Sequence, residues 1–318
     1  MKTAVFLPAD FPFYNPFWNA GGRRRLALMK NFIRKNLPGW LLLLPGVILF
    51  AFFVWIPLLE SVKISLYSAK GMRLIAFVGL KNYRDVFMHP DFWPAMRNTF
   101  LYTLWSLVIG FAVPIVMGLF ISELVRGKSA LKIGVYLPNI VPGMAMVLMW
   151  SFIFRPGATG VLNILLGKLG FQPQMWLSNP KWTIPLIVVA LTWKGAGATA
   201  LLYVAGLQGI DPELYEAAMI DGAGIWKRLR YVTLPGLYNL IRMLFILQII
   251  SVFQILYEPL VMTNGGPNNA SISIMQLVYR YAFEKYDYPK ASSVSVIICI
   301  VLVILTAVYT KLNKKQEA

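Results

Sequence analysis

The chain has 318 residues, of which 58% are hydrophobic and 14% are charged, and its formal net charge is +17. This composition excludes an ordinary soluble domain and is typical of a membrane protein with several spans. The positive charge does not indicate nucleic-acid binding, because the Lys and Arg residues are scattered among loops and helix ends; basic loops facing anionic lipid explain it better. The single cysteine, Cys299, excludes an internal disulfide.

Six apolar runs are each long enough to cross a hydrocarbon core of ~30 Å, which takes roughly 20 helical residues. The sequence therefore predicts an all-α, polytopic membrane protein with six transmembrane helices. The third run contains Pro138 and Pro142, and we expect it to be kinked or partly unwound there. The predicted spans are 39–60, 97–124, 133–154, 182–208, 236–262 and 290–310.

Basic clusters flank the first and the last predicted span, as in GGRRRLALMK at 21–30 and KLNKK at 311–315. Because cytoplasmic flanks carry an excess of Lys and Arg, we expect both termini to lie in the cytoplasm. Residues 1–36 are then expected to be a cytoplasmic tail and residues 37–318 a membrane domain with six spans. The segments 61–96, 155–181 and 263–289 fall on the outside in this topology.

The segment YEAAMIDGAGIWKRLRYVTLP, residues 215–235, is rich in charge and separates the fourth predicted span from the fifth. Asp211 and Pro212 predict the start of a helix that runs to about residue 221, and Gly222 and Gly224 predict its end. A second short helix is expected over 225–232. The apolar stripe of this segment suits a groove on a partner protein; the alternative is an amphipathic connector on lipid headgroups. The stripe consists of Leu214, Ala217, Ala218 and Ile225.

The run E-A-A-x-x-D-G-A at 216–223, followed by V-T-L-P at 232–235, resembles the EAA signature of permease subunits of bacterial ABC importers. In that family the loop is a coupling helix, about 211–230 here, that docks into the cytoplasmic ATPase. The resemblance assigns the coupling role to five residues: Glu216, Ala217, Ala218, Asp221 and Gly222. Val232 and Leu229 depart from the commoner isoleucine and phenylalanine of the signature.

Two further stretches narrow the resemblance. LYEPLVMTNGGPNNAS at 256–271 and GLKNYRDVF at 79–87 are similar to segments of sugar importer permeases of the maltose and glycerol-phosphate type. The resemblance covers the chain from about residue 37 to the end. It implies the type I importer fold, a bacterial inner-membrane location, a second homologous permease, two cytoplasmic ABC ATPases and an extracellular solute-binding protein.

The sequence contains no motif that predicts an enzyme activity for this chain. No GxxxxGK[ST] phosphate loop occurs, so ATP hydrolysis is expected on a separate subunit. The only histidine, His89, precedes Pro90 in a predicted outer loop, where a solvated role is expected. No catalytic residue, metal site or cofactor is predicted.

Polar side chains within the fourth and fifth spans predict the substrate pathway, because such groups are costly in lipid. An aromatic ring and amides are the groups that bind sugars, and Trp193, Gln248, Ser251 and Gln254 supply them. Gln248 and Ser251 are expected to share one helical face, as are Gln254 and Glu258. The alternative is that these residues form hydrogen bonds with the partner permease.

The resemblance thus implies a permease subunit for ATP-driven uptake of a sugar, with an oligosaccharide as the expected substrate. Glycerol phosphate or another solute is the alternative substrate. A secondary transporter is a weaker alternative, because inverted repeats and ion-coupling carboxylates are expected there and the spans contain almost no carboxylates.

Overall fold

The computed structural model describes residues 22–71, 73–124 and 126–314, with side chains from residue 36 to residue 311 apart from the two gaps. The first 21 residues of the predicted tail lie outside this range. The chain divides into two units, Met1–Glu60 and Ser61–Ala318.

The described part of the first unit is helical. Helix α1, Gly22–Phe50, is followed by a π-turn, Ala51–Trp55, and by the start of α2, Ile56–Ser65. The candidate span Asn36–Ser65 has a mean hydropathy of 2.5, and none of its most apolar window is buried. A helix that is apolar on all sides requires a lipid or protein environment on all sides.

The described chain is mostly helical, which confirms the predicted fold class, and the second unit adds one small β-hairpin after the end of α2. Strand β1, Tyr67–Lys70, pairs antiparallel with β2, Arg73–Phe77, and helix α3, Lys81–Phe87, follows. The side-chain amide of Asn82 donates to the carbonyls of Ser65 and Tyr67 at 2.8 and 2.9 Å. This contact fixes the hairpin to the end of the first span.

Helices make up most of the remaining described chain. In order they are α4 Phe92–Trp105, a π-turn Ser106–Gly110, α5 Ala112–Glu123, α6 Lys128–Ile140, α7 Gly143–Ile153, α8 Val161–Lys168, a 3-10 turn Trp176–Ser178, α9 Pro180–Gln208, α10 Pro212–Ile220, α11 Ile225–Arg228, a π-turn Leu229–Thr233, α12 Leu234–Gly236, α13 Tyr238–Phe253, α14 Tyr257–Thr263, α15 Ile274–Tyr279, a π-turn Arg280–Glu284 and α16 Tyr288–Lys314.

The described residues contain four unbroken candidate spans and two bent pairs, which makes six if each pair is one span. The unbroken spans are Asn36–Ser65, Phe92–Glu123, Pro180–Gln208 and Tyr288–Lys311. The kink predicted in the third span is confirmed, because α6 and α7 meet at 93°. Val141, which precedes Pro142, has a non-helical ψ of 127°, as expected because a helical conformation there would clash with the following proline ring.

The fifth span differs from the prediction. Helix α13 ends at Phe253, and α14 begins only at Tyr257, so 236–262 is not one helix. The N–H of Gln254 donates to the carbonyl of Ser251 at 3.1 Å, which closes the last turn. The expectation that Gln254 and Glu258 share a face of one helix is therefore wrong, since a break separates them.

Helix α9 packs against α4, α5 and α6, and glycine allows two of these contacts. A Cβ atom at Gly197 would lie 1.6 Å from the Val135 carbonyl oxygen of α6, and one at Gly118 would lie 2.7 Å from the Tyr203 Cβ. Small residues permit such close approach between membrane helices. These two glycines set the distances of α6 and α5 from α9.

The segment after α14 is held by α4. Asn264 has φ 47° and ends α14, and residues 264–267, called the NGGP turn here, follow the helix. The Asn98 side-chain amide donates to the carbonyl of Asn269 at 2.7 Å, and the buried Tyr102 hydroxyl donates to that of Ser271 at 3.0 Å. The end of α14 is thus fixed to the second span.

Candidate transport and coupling sites

A cavity of about 450 Å³ lies among the helices of the second unit and is called the span cavity here. Residues of five elements line it: the π-turn after α4, α6, α9, α13 with the break that follows it, and α14. The polar and charged lining residues are Ser106, Asn139, Thr192, Lys194, Thr199, Gln248, Ser251, Gln254, Tyr257 and Glu258. Polar side chains concentrated among apolar helices are typical of a solute pathway.

Gly110 lies where three of these polar side chains converge. A Cβ atom there would lie 3.1 Å from Ser106 Oγ, 3.2 Å from Gln248 Nε2 and 3.3 Å from Thr192 Oγ1. Gln248 Nε2 donates to Ser106 Oγ, while Thr192 Oγ1 donates to the Val188 carbonyl at 2.7 Å. Ser106 and Gly110 bound a π-turn, an irregularity that often marks functional positions in helices.

The structure brings together three of the four residues predicted for the pathway. Gln248, Ser251 and Gln254 line the span cavity, but Trp193 does not. The Trp193 ring packs edge-on against Trp150, with ring centroids 5.9 Å apart. The aromatic residue in the lining is instead Tyr257, which the sequence reasoning missed because its position depends on the break before α14.

The span cavity contains side chains of both charge types. Lys194 comes from α9 and Glu258 from α14. The Lys194 amine lies 3.4 Å from where a Cβ atom of Gly143 would be, at the start of α7. An amine and a carboxyl group are therefore available beside the amides and hydroxyls.

The segment between α9 and α13 folds much as predicted. The Asp211 carboxylate accepts from the Glu213 N–H at 3.0 Å, and α10 runs from Pro212 to Ile220. Gly222 has φ 71°, and the Ala223 N–H donates to the Ala218 carbonyl at 2.9 Å. The helix thus ends at a left-handed residue where glycine is favoured.

The five residues assigned to coupling lie together around the end of α10. Glu216, Ala217, Asp221 and Gly222 are exposed, and Ala218 is half-buried. The Tyr215 hydroxyl of α10 lies 3.1 Å from Thr233 Oγ1, and this contact connects the helix to the π-turn before α12.

Large apolar side chains surround this group. The exposed fractions are 87% for Ile220, 81% for Trp226 and 75% for Ile225. The predicted stripe named Ile225 but missed Ile220 and Trp226, since their exposure depends on the turn at Gly222. So much exposed apolar surface is expected at a contact with another protein or with lipid.

Solved structures with this fold include that of a bacterial ABC transporter that imports the acidic polysaccharide alginate. A chain of that structure is 24% identical, covers 90% of this chain and 98% of its own length, and superposes with a TM-score of 0.79. A second structure, the alginate transporter in complex with a pentasaccharide-bound periplasmic protein, gives a TM-score of 0.80 at 24% identity, covering 90% and 96% of the two chains. These likenesses establish the fold.

Relatives of known name match most of the chain. The arabinooligosaccharides transport system permease protein AraP of Bacillus subtilis is 30% identical over 89% of this chain and 90% of its own. The trehalose/maltose transport system permease protein MalF of Thermococcus litoralis is 32% identical over 87% and 93%. The profile of the family described as "Binding-protein-dependent transport system inner membrane component" matches residues 110–316. The chain therefore belongs to this family of ABC importer permeases.

Proposed function

We propose that this permease forms half of the translocation pathway of an ATP-driven importer of oligosaccharides. The observation that carries the proposal is the span cavity, in which Gln248, Ser251, Gln254 and Tyr257 line a space among apolar helices. Amides and hydroxyls form hydrogen bonds with sugar hydroxyls, and an aromatic ring packs on the apolar face of a pyranose. The names of AraP and MalF support a sugar substrate.

The proposed assembly contains a second homologous permease, two cytoplasmic ABC ATPases and an extracellular solute-binding protein. One chain with six spans does not enclose a pathway alone, so the second permease supplies the other wall. The family description supports dependence on a binding protein. ATP hydrolysis takes place on the ATPases.

Coupling is proposed to run through residues 211–230. Glu216, Ala217, Ala218, Asp221 and Gly222 contact the ATPase, and the exposed Ile220 and Trp226 add apolar area. The contact between Tyr215 and Thr233 carries the displacement of α10 to α12 and α13. Because α13 contributes Gln248 and Ser251 to the span cavity, ATPase closure changes the relative stability of the two access states.

The proposed location is the bacterial inner membrane, with both termini in the cytoplasm. The hairpin 67–77 and the segments 155–181 and 263–289 then lie outside. The segment 211–230 lies on the cytoplasmic side, where the ATPases are.

Uptake by a strain lacking this permease gene, with and without a plasmid copy, tests the proposal. Labelled arabinotriose, maltotriose, lactose and glycerol 3-phosphate are offered separately. Accumulation of at least one oligosaccharide that depends on the plasmid is the expected result. Accumulation of glycerol phosphate alone, or of none of the four, contradicts an oligosaccharide importer.

A further inference from the structure

A second cavity, of about 570 Å³, lies at the far end of α7 and α14 and is called the loop cavity here. It is formed by the last turn of α7, the turn after it, the 3-10 turn before α9 and the NGGP turn. Its polar and aromatic lining includes Ser151, Phe152, Arg155, Ser178, Thr263 and Asn264. None of these residues belongs to the span cavity.

Helix α14 joins the two cavities. Tyr257 and Glu258, in its first turn, line the span cavity, whereas Met262 and Thr263, in its last turn, line the loop cavity. Seven residues at 1.5 Å rise make α14 ~10 Å long. The two cavities are therefore arranged in series along this helix.

An apolar contact separates the cavities in this structure. Met146 and Val147 of α7 are fully buried and belong to one cluster with Val261 and Met262 of α14. A solute that passes from the loop cavity to the span cavity between these two helices must separate these side chains.

The chemistry of the loop cavity suits a sugar. Arg155 is the only charged residue in its lining, and it makes no ion pair with any residue in the described part of the chain. Its guanidinium carbon lies 4.9 Å from the centre of the Phe152 ring, which orients it. A guanidinium in this position has donors available for the oxygen atoms of a ligand.

The NGGP turn provides a rigid opposite wall. Asn264 holds φ 47°, and its carbonyl accepts from Arg280 at 2.8 Å. Thr263 Oγ1 lies 2.7 Å from Ser271 Oγ. Polar groups held by other residues are prepared for binding, because ordering them costs little at the moment of contact.

We propose that the loop cavity is an entry subsite, which holds the leading glycosyl unit of the oligosaccharide before α7 and α14 separate. Arg155 donates to the ring hydroxyls or carboxylate of that unit, and Phe152 and Ser178 contact it. This inference rests on the proposed function, including the outer location of residues 155–181.

A labelling experiment tests occupancy of the entry subsite. Ser178→Cys is introduced with Cys299→Ala, since Cys299 is an exposed free thiol, and the complete transporter reacts with a maleimide. Binding protein loaded with maltotriose is expected to slow this reaction several-fold relative to unloaded binding protein, and adding Arg155→Ala is expected to abolish the difference. Lys168→Cys, also exposed but outside both cavities, controls for shielding by the binding protein.

Uptake measurements separate failure of the inference from failure of the proposed function. Arg155→Ala is expected to lower the rate of maltotriose uptake about tenfold, as for a lost hydrogen bond to a charged group, with Arg155→Lys intermediate and Lys168→Ala unchanged. Equal labelling of Ser178→Cys with loaded and unloaded binding protein, in a transporter that takes up maltotriose, overturns the entry subsite alone. If the wild-type transporter takes up no oligosaccharide, the proposed function fails and the entry subsite fails with it.

Discussion

Gln248 connects two spans through one side-chain amide, because its Nε2 donates to Ser106 Oγ in the lining of the span cavity. Replacing it with alanine removes a recognition group but leaves α10 unchanged. We expect Gln248→Ala to reduce uptake about tenfold, with basal ATP hydrolysis and assembly retained. Loss of the second permease during purification would instead assign Gln248 to the interface between permeases.

Trp193 is a matched comparison, because it lies on α9 next to residues of the span cavity yet packs on Trp150. We expect Trp193→Ala to lower the thermal stability of the complex, by removing an aromatic pair worth roughly 1 kcal/mol beyond its buried area. Trp193→Phe retains a ring and should restore most of the stability. A fall in uptake at unchanged thermal stability would contradict this role and favour contact with substrate.

His89 gives a pH dependence at the residue scale. Burial and the neighbouring Lys285 lower the pKa of its imidazole, with Lys290 adding to the shift and Asp91 opposing it. Since the folded protein disfavours the imidazolium, protonation of His89 lowers the free energy of unfolding. The stability that depends on neutral His89 is fully present above the unfolded-state pKa and is lost as the pH falls through the lowered pKa.

The thermal unfolding temperature should therefore fall between about pH 7 and about pH 5, and His89→Asn should reduce that fall. Asparagine does not titrate but retains an acceptor for the Asp91 N–H, which donates to His89 Nδ1 at 3.3 Å. An identical pH profile in wild type and His89→Asn would show that other groups cause the loss.

At the scale of elements, the turn after α10 offers two glycines with different backbone requirements. Gly222 has φ 71° and Gly224 has φ −67°, and an added Cβ atom would meet nothing within 4 Å at either position. Gly222→Ala is expected to strain the turn by roughly 1 kcal/mol and to weaken retention of the ATPase, whereas Gly224→Ala is expected to be neutral. Co-purification of the ATPase measures both, and equal retention would remove the turn from the coupling mechanism.

Local chemistry explains which elements the sequence predicted well. Asp211, Pro212 and Gly222 act within a few residues of themselves, so the limits of α10 follow from them. The kink at Pro142 has an equally local cause. The break at 254–256 was not predicted, although Pro259 lies in the first turn of α14 and cannot donate a helical hydrogen bond to the Ile255 carbonyl. That carbonyl accepts instead from Ser273 Oγ at 2.7 Å, a contact that the sequence does not reveal.

At the scale of the whole molecule, the cavities result from contacts between distant parts of the chain. Ser106 and Gln248 are 142 residues apart in sequence. Polarity within a span correctly identified Gln248, Ser251 and Gln254 as lining residues of the span cavity. The sequence did not show that Trp193 packs on Trp150 of α7 instead of lining the cavity. The loop cavity was not predicted, because its walls are turns whose approach depends on the fold.

The proposed topology, with the hairpin outside and residues 211–230 in the cytoplasm, predicts which positions are accessible from each side of the membrane. In a Cys299→Ala background, Ala76→Cys on the hairpin should react with an impermeant maleimide in intact cells, whereas Gly224→Cys should react only after permeabilisation. Both positions are exposed in the structure. The reverse pattern would place residues 211–230 outside and exclude contact with cytoplasmic ATPases.

Gly195 and Gly197 lie two residues apart on α9 in unlike surroundings. Gly195 lines the span cavity and an added Cβ atom would meet nothing within 4 Å, while Gly197 has the Val135 carbonyl against it. Position 195 thus affects the volume available to a solute, while position 197 affects the distance between α9 and α6. Larger residues at position 195 should reduce the volume of the span cavity and so favour smaller sugars. Position 197 should remain glycine in such variants, because α6 packs against it.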